Sequence, residues 1–265
     1  MSSTFSFSRL AKLITKQLFE NSRLYIYCVL ALFGLLALSF GFWFKVTGPR
    51  YDERDTYNIF LLGLYLSGTV FASVSFSMLA SKDKGIYWLS VPATHLEKLI
   101  CTIFYSTIVF TIVYTLIFLL VQTISVSLVQ EYIKSIPGGS YTPANVFANG
   151  ADSIISYFIY GYFAVQALYL LGSVYFPRYS FIVTSVAGAF IMFVFIYYLS
   201  RVHDNLLGPV SWNIVSVRKP DTQNDGYFLY SISPTLADTF KYAIRFAWAP
   251  LFWIVTWFRL KEKEI

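Results

Sequence analysis

The sequence predicts an all-α polytopic membrane protein with six transmembrane helices, an amphipathic interfacial helix at the N-terminus and a short helix in a cytoplasmic connection. Two observations carry this prediction. The 265 residues are 57% hydrophobic and 13% charged, with a mean hydropathy of +0.59, and soluble domains do not have such values. Five runs of 21 to 32 residues also lack Asp, Glu, Lys and Arg, whereas roughly 20 apolar residues suffice to cross the hydrocarbon core.

The predicted transmembrane domain covers residues 24–265, with spans at about 24–44, 57–80, 99–129, 153–176, 179–200 and 240–258. The last span crosses only if Lys241 and Arg245 extend their charges to a headgroup layer, and Pro250 should kink it. Runs such as FTIVYTLIFLL do not alternate as the strands of a β-barrel would. The first run is too long for the apolar core of a signal peptide and lacks a cleavage site, so it is expected to be a retained span.

The distribution of charge predicts the orientation of the chain. With six spans, one side of the membrane receives both termini and the second and fourth connections, and this side carries the whole formal net charge of +6. Cytoplasmic connections of membrane proteins are rich in Lys and Arg, so both termini are expected in the cytoplasm. Because topology accounts for the basic pI of about 9.1, a nucleic acid partner is not expected.

Residues 1–23 are predicted to form a unit of their own. Apolar residues recur at helical spacing in FSFSRLAKLITKQLFENSR, and the opposite side carries the basic residues Arg9, Lys12 and Lys16. A short helix of this kind lies in the membrane interface, where membrane lipids are its neighbours. Two interpretations remain open: a plain interfacial anchor, or a helix that also contacts a cytoplasmic partner.

The second connection, residues 82–98, contains a helix start signal. Thr94 is a candidate N-cap and Glu97, three residues later, completes a capping box, with Pro92 just before it. The pattern predicts either a short helix across the cytoplasmic surface or an early start of the third span. The fourth connection is only Phe-Pro-Arg-Tyr, so spans four and five should form a tight hairpin. The outer loop 201–239 contains patches apolar enough to dip into the bilayer.

The residues that catalysis needs are not found in a productive pattern. The chain has no GxxxxGK[ST], HExxH or GxSxG motif. Its two histidines fall on opposite sides of the predicted membrane, so no metal site or cofactor is expected. The first five spans contain no charged residue, which disfavours both an intramembrane enzyme and an ion-coupled transporter. The polar residues Ser73, Ser77, Gln122 and Gln166 are expected to bond helices together, or to line a translocation path.

Three segments resemble the membrane (permease) subunit of type-2 ABC exporters, of the kind found in Bacteroidota. FSRLAKLITKQLFENSR resembles the connecting helix of that family, and LSVPATHLEKLICTIF resembles its passage into the third span. LLGSVYFPRYSFIVTSV and the 20% aromatic content also resemble permeases of that group. The family begins with an amphipathic helix and has six spans, a cytoplasmic coupling helix and both termini inside, as predicted here.

The resemblance implies a permease that binds no ATP itself and is driven by a dimeric ABC ATPase subunit. It further implies a second permease copy or a paralogue, and a bacterial inner membrane as the location. The residues implied to couple this chain to the ATPase are Pro92, Thr94, His95, Glu97 and Lys98, and replacing Pro92 or Glu97 should uncouple ATP hydrolysis from transport. A lipophilic substrate or a peptide fits the uncharged spans better than an ion. The alternative is a non-transporting membrane subunit that scaffolds or regulates an envelope complex.

Overall fold

A computed structural model describes residues 5–48, 50–52, 55–136, 139–142, 154–202, 211–212, 216–220, 227–231 and 233–263. The protein is an all-α polytopic membrane protein. Among the described residues, five helices are long and apolar enough to cross a membrane: Ser22–Thr47, Thr56–Val74, His95–Lys134, Tyr157–Tyr175 and Ser180–Arg201. These helices correspond to the first five predicted spans.

The elements follow one another along the chain with short connections. The helices are α1 (Phe7–Glu20), α2 (Ser22–Thr47), α3 (Thr56–Val74), α4 (Lys82–Ser90), α5 (His95–Ile103), α6 (Phe110–Lys134), α7 (Ile154–Tyr175), α8 (Ser180–Val202), α9 (Pro234–Phe246) and α10 (Trp248–Glu262). A 3₁₀ turn (Ser77–Ala80) follows α3, and a π-helical turn (Phe104–Val109) joins α5 to α6. The strands are β1 (Arg50–Asp52), β2 (Ser140–Thr142), β3 (Ser211–Trp212), β4 (Ser216–Pro220) and β5 (Tyr227–Ser231).

The sixth predicted span differs from the prediction. It was expected as one helix over residues 240–258 with a kink at Pro250, but the segment is divided into two helices, α9 and α10, at Ala247. Pro250 explains the position of the break, because it has no N–H to donate to the carbonyl of Phe246 and α9 cannot continue. In the first turn of α10 the same proline is tolerated. With 15 residues, α10 is about 22 Å long at 1.5 Å per residue, shorter than the roughly 30 Å hydrocarbon core.

The third span begins early, and this decides between the two alternatives for residues 92–98. Thr94 caps α5, and α5, the π-helical turn and α6 form one continuous rod from His95 to Lys134. Its 40 residues extend about 60 Å, so the rod projects well beyond the bilayer. The separate short helix of the connection is α4, which ends before Pro92.

Two apolar clusters hold the bundle together. The larger joins α2, α3, α6 and α7 and contains the buried residues Leu36, Phe40, Phe60, Leu64, Phe110, Tyr114, Phe118, Val121 and Tyr162. The second lies nearer to α1 and contains Phe76, Leu99, Leu170, Val174 and Leu260. Helix α10 runs beside α7 in the same direction, since Phe246, the last residue of α9, contacts Tyr160, and Arg259, near the end of α10, stacks on Tyr175.

We call the side of the bundle with α1, α4 and the start of α5 the N-terminal face. At the far ends of α2 and α6, β1 pairs with β2 in parallel, as expected for segments that follow two helices running in the same direction. Strands β3, β4 and β5 form an antiparallel sheet within the segment 201–239, which was predicted as an outer loop. The loop segments 203–210, 213–215, 221–226 and 232, which include His203, lie outside the described residues, so re-entry of the loop into the membrane stays a prediction.

Helix α8 packs on the bundle only by its beginning. Ser180 and Thr184 are buried, whereas the large apolar side chains from Phe190 to Tyr198 are all exposed. A helix that is hydrophobic all round is stable only against lipid or against another protein. The second half of α8 therefore offers a surface for one of the two.

Close contact between α3 and α7 requires glycine at position 68. A Cβ atom built on Gly68 would lie 2.6 Å from the Tyr162 hydroxyl oxygen, while a Cβ atom on Gly34 of α2 meets nothing within 4 Å. We therefore expect Gly68→Leu to destabilise the protein by about 1–3 kcal/mol through overpacking, and the matched Gly34→Leu to have little effect. Thermal unfolding of both variants in detergent measures the difference, and equal melting temperatures would contradict the α3–α7 packing.

Candidate functional site

Helix α1 lies against the start of the third span, as its hydrogen bonds show. The hydroxyl of Tyr105 donates to the carbonyl of Ile14 at 2.7 Å. The thiol of Cys101 donates to the side-chain oxygen of Gln17 at 3.1 Å, and the ring of Tyr25, just beyond α1, stacks on Tyr105. Apolar Phe7 and Leu18 stay exposed. One side of α1 is thus held by the protein, and its apolar residues remain free to enter the membrane interface.

The carboxylate of Glu97 joins the beginnings of two helices. Its Oε2 atom accepts a hydrogen bond from the N–H of Thr94 at 2.8 Å, and Thr94 Oγ1 accepts one from the N–H of Glu97 at 3.2 Å, which completes the predicted capping box of α5. Its Oε1 atom accepts from the N–H of Ser6, the N-cap residue of α1, at 2.7 Å. A negative charge is favourable at a helix N-terminus, and here one carboxylate stabilises the N-termini of both α1 and α5.

Arg9 supplies the compensating charge. Its Nε and one terminal nitrogen donate to Glu97 Oε1 at 3.3 and 3.0 Å. The side chain of Glu97 is 0% exposed and that of Arg9 is 31% exposed. A buried carboxylate without a partner would cost several kcal/mol, so the ion pair and the two backbone N–H groups are what allow Glu97 to be buried.

Lys98, the next residue, holds the end of α4. Its ammonium group donates to the carbonyl of Trp88 at 2.8 Å and lies 4.7 Å from the centre of the Trp88 ring. The carbonyls in the last turn of a helix lack intrahelical donors, and a cation there satisfies them. Lys98 is only 4% exposed, so the contact is part of the core of the N-terminal face.

A second contact joins α4 to α1. The hydroxyl of Tyr87 donates to Glu20 Oε1 at 3.2 Å, and the ammonium group of Lys16 lies 5.2 Å from the centre of the Tyr87 ring. Lys16 also pairs with Glu20 at 3.6 Å. The hydrogen bond to Tyr87 and the charge of Glu20 raise the pKa of Lys16 despite its partial burial, so this cation persists at physiological pH.

The five residues expected to meet a partner therefore have different surroundings. Pro92 is exposed in the bend between α4 and α5, Thr94 is the N-cap of α5, and His95 is half-buried in its first turn. Glu97 and Lys98 are buried and bound within the chain. Each of these two side chains holds another helix of this protein, and their part in coupling stays a prediction. Of the three basic residues of α1, Arg9 and Lys16 are paired and Lys12 is exposed.

The four polar residues predicted in the spans differ in their contacts, and one of them bonds to another helix. Ser73 is buried and donates to the carbonyl of Val70 in its own helix, Gln122 is buried in α6, and Ser77 is exposed in the 3₁₀ turn. Gln166 is fully buried and donates to the carbonyl of Ser106 in the π-helical turn. This bond ties the fourth span to the third, as expected for helix–helix bonding.

Three residues that hold α1 in place were not predicted from the sequence. Ser6, Gln17 and Tyr105 act through contacts between segments about 90 residues apart, and helical periodicity reports only local structure. Tyr87 and Trp88 could be recognised from the sequence as interfacial aromatic residues, although not as the two contacts that hold α4.

The described part of the chain contains no cluster of three or more His, Cys, Asp or Glu side chains that could hold a metal ion. The fold and the site define an all-α polytopic membrane protein with a hydrogen-bonded assembly of three helices on one face. Comparison of the chain with models of known protein families, with curated proteins and with solved structures finds no match. Its function must therefore be argued from its own geometry.

Loss of the negative charge at position 97 should release α1. In Glu97→Gln, the amide NH₂ must face N–H donors on at least one side, so we expect a loss of about 1–3 kcal/mol in the docking of α1. Hydrogen–deuterium exchange of residues 7–20 should accelerate by about fivefold or more, since about 1.4 kcal/mol corresponds to a factor of ten. Glu20→Gln is the matched control, because the exposed pair Lys16–Glu20 contributes only about 0.5 kcal/mol and the amide oxygen of Gln can still accept the hydrogen bond from Tyr87. Unchanged exchange in Glu97→Gln would show that Glu97 does not hold α1.

Proposed function

We propose that this chain is the permease subunit of a type-2 ABC exporter in a bacterial inner membrane, with the N-terminal face and both termini in the cytoplasm. A separate dimeric ATPase subunit supplies the energy. The observation that carries the proposal is α4, a solvent-exposed helix between the second and third spans that is held at both sides by the chain itself. It has the position that the coupling helix of such a permease requires.

The contacts of α4 support a role in transmitting force. Lys98 binds its last turn to the third span, and Tyr87 binds it to α1. Displacement of α4 by a partner would therefore move α1 and the beginning of the 40-residue rod together. The side chains of Lys82, Asp83, Lys84 and Ile86 are exposed, so they are available for a contact that the buried Glu97 and Lys98 cannot make.

This arrangement refines the implied coupling residues. In the proposal α4 makes the contact with the ATPase, and the exposed Pro92 sets the bend behind it. Thr94, Glu97 and Lys98 position α4 and α1 without touching the partner. His95 lies next to this assembly. Helix α1 serves as an interfacial anchor whose Arg9 links it to the third span.

The interior of the bundle supports a requirement for two permease copies. Ser73 bonds within its own helix and Gln166 bonds to the third span, while aromatic and aliphatic side chains fill the space between α2, α3, α6 and α7. The described residues of one protomer therefore form no continuous polar path. A translocation path for a lipophilic or peptide substrate would lie between two copies, and the exposed α2 and α8 have the surfaces for it.

Gentle purification of the tagged chain from its native membrane, followed by mass spectrometry, tests the proposal. A stoichiometric ABC ATPase is the expected result. A preparation that contains only envelope-assembly proteins would contradict the proposal and favour the scaffold or regulatory subunit instead.

Substitutions of exposed residues on α4 should weaken its contact with the ATPase without disturbing the contacts of α4 with the rest of the chain. We expect Lys84→Glu combined with Ile86→Asp to reduce the co-purified ATPase at least about tenfold, a loss of about 1.4 kcal/mol in binding, since Ile86 is 56% exposed and neither residue holds α1. The matched control on α1 is Lys12→Glu with Ala11→Asp, which changes one exposed lysine and one exposed apolar residue in the same way. Equal loss in both variants would argue against α4 as the contact.

A further inference from the structure

The π-helical turn of the third span diverts one backbone N–H from its usual acceptor. In a regular α-helix, the N–H of Phe110 would donate to the carbonyl four residues earlier, which is that of Ser106. Here the N–H of Phe110 donates to the carbonyls of Tyr105 and Thr107 instead. Ser106 is buried within a membrane-spanning segment, and a buried carbonyl needs a donor. Another group must therefore take the place of this N–H.

Gln166 of α7 supplies the donor. Its side-chain amide donates to the carbonyl of Ser106, and both residues are buried. Inside a membrane no bulk water is present to satisfy a freed carbonyl, so a side chain of a neighbouring helix has to do so. In the α-helical form the N–H of Phe110 would occupy this carbonyl. The π-helical form therefore depends on Gln166 more than the α-helical form does.

The π-helical turn also sets the direction in which α5 faces. A π-helical hydrogen bond closes over one residue more than an α-helical bond, and one residue corresponds to a rotation of about 100° about the helix axis. The rod beyond the turn is fixed by its packing on α2 and α3. The additional residue in the turn therefore decides which way Glu97 and Lys98 point, and in the π-helical form they point to α1 and α4.

The contacts of the N-terminal face and the bond of Gln166 thus need the same form of the turn. While Glu97 holds α1 and Lys98 holds α4, the turn is π-helical and α7 binds its carbonyl. If the turn became α-helical, α5 would rotate and both contacts would be lost. Interactions that need the same conformation stabilise one another, and this effect is reciprocal.

We propose that Gln166 controls the docking of α1 and α4 through the π-helical turn. Release of its amide from Ser106 favours the α-helical form, which rotates α5 and detaches both surface helices. A movement of the fourth span away from the third would therefore reach the N-terminal face through a single hydrogen bond. Gln166 is a positioning residue in this device. The inference does not depend on the proposed function, because it concerns contacts within this chain alone.

Hydrogen–deuterium exchange of the full chain in detergent tests the inference. Gln166→Met removes the donor and keeps the length of the side chain. We expect exchange of α1 and α4 to accelerate by about fivefold or more, because a buried carbonyl without its donor disfavours the π-helical form and with it the docked state. Gln122→Met is the control, since it replaces a second buried glutamine of the same rod, beyond the turn. It should leave exchange of α1 and α4 unchanged.

A deletion distinguishes this coupling from a general loss of stability. Without Ile108, the bond from Phe110 to the carbonyl of Tyr105 becomes an ordinary α-helical bond. The carbonyl of Ser106 then regains a backbone donor, and α5 keeps its rotation. Deletion of Ile108 in the Gln166→Met variant should therefore return the exchange of α1 and α4 to that of the unmodified chain.

The matched deletion removes Ile124, which is 48% exposed like Ile108 but lies in the regular helix α6. It should not restore slow exchange, because it shifts the register of α6 and not that of the turn alone. Unchanged exchange in Gln166→Met, or equal acceleration in Gln122→Met, would overturn the inference. Fast exchange that persists without Ile108, or restoration by both deletions, would overturn it as well.

Discussion

The arrangement of the N-terminal face depends on one buried carboxylate. Among the described residues, Glu97 and Lys98 are the two charged side chains that are buried, and they are neighbours in the first turn of the third span. Glu97 turns toward α1 and Lys98 turns toward α4. Each charge is placed where a helix terminus has the opposite partial charge, which offsets the cost of removing it from water. One turn of helix thereby gathers two surface helices around itself.

This turn continues into the membrane without interruption. The rod that starts at His95 passes through the π-helical turn before it becomes the transmembrane part of the third span. Segments of π-helix are rare and recur at functional positions, and here Gln166 of the fourth span binds a carbonyl in that turn. On one side of it the rod contacts α1 and α10, and on the other side it contacts α2 and α3. The π-helical turn therefore lies where two packing environments meet.

The sequence predicts those features that are local in the chain. Hydropathy locates five spans because each is a long uncharged run, and the capping box follows from Thr94 and Glu97 at a spacing of three. The second oxygen of Glu97 has its partners in Ser6 and Arg9, about 90 residues away, and no periodic pattern records such a contact. The kink of the last span also follows from a local feature, the missing N–H of Pro250, although the structure shows two separate helices, α9 and α10, and not one kinked helix.

The basic residues of this face also show why a count of charges predicts the orientation of the chain in the membrane better than it predicts binding sites. Arg9, Lys16 and Lys98 belong to the same positive bias as Lys84 and Lys261, yet the first three hold helices together within the chain. A cation that is already bound to a carboxylate or a helix end has little left to offer a ligand, whereas an exposed cation retains its full capacity. In the sequence all of these basic residues look alike. Only the folded structure shows which of them are buried or paired within the chain, and which stay exposed and can bind a partner or a lipid.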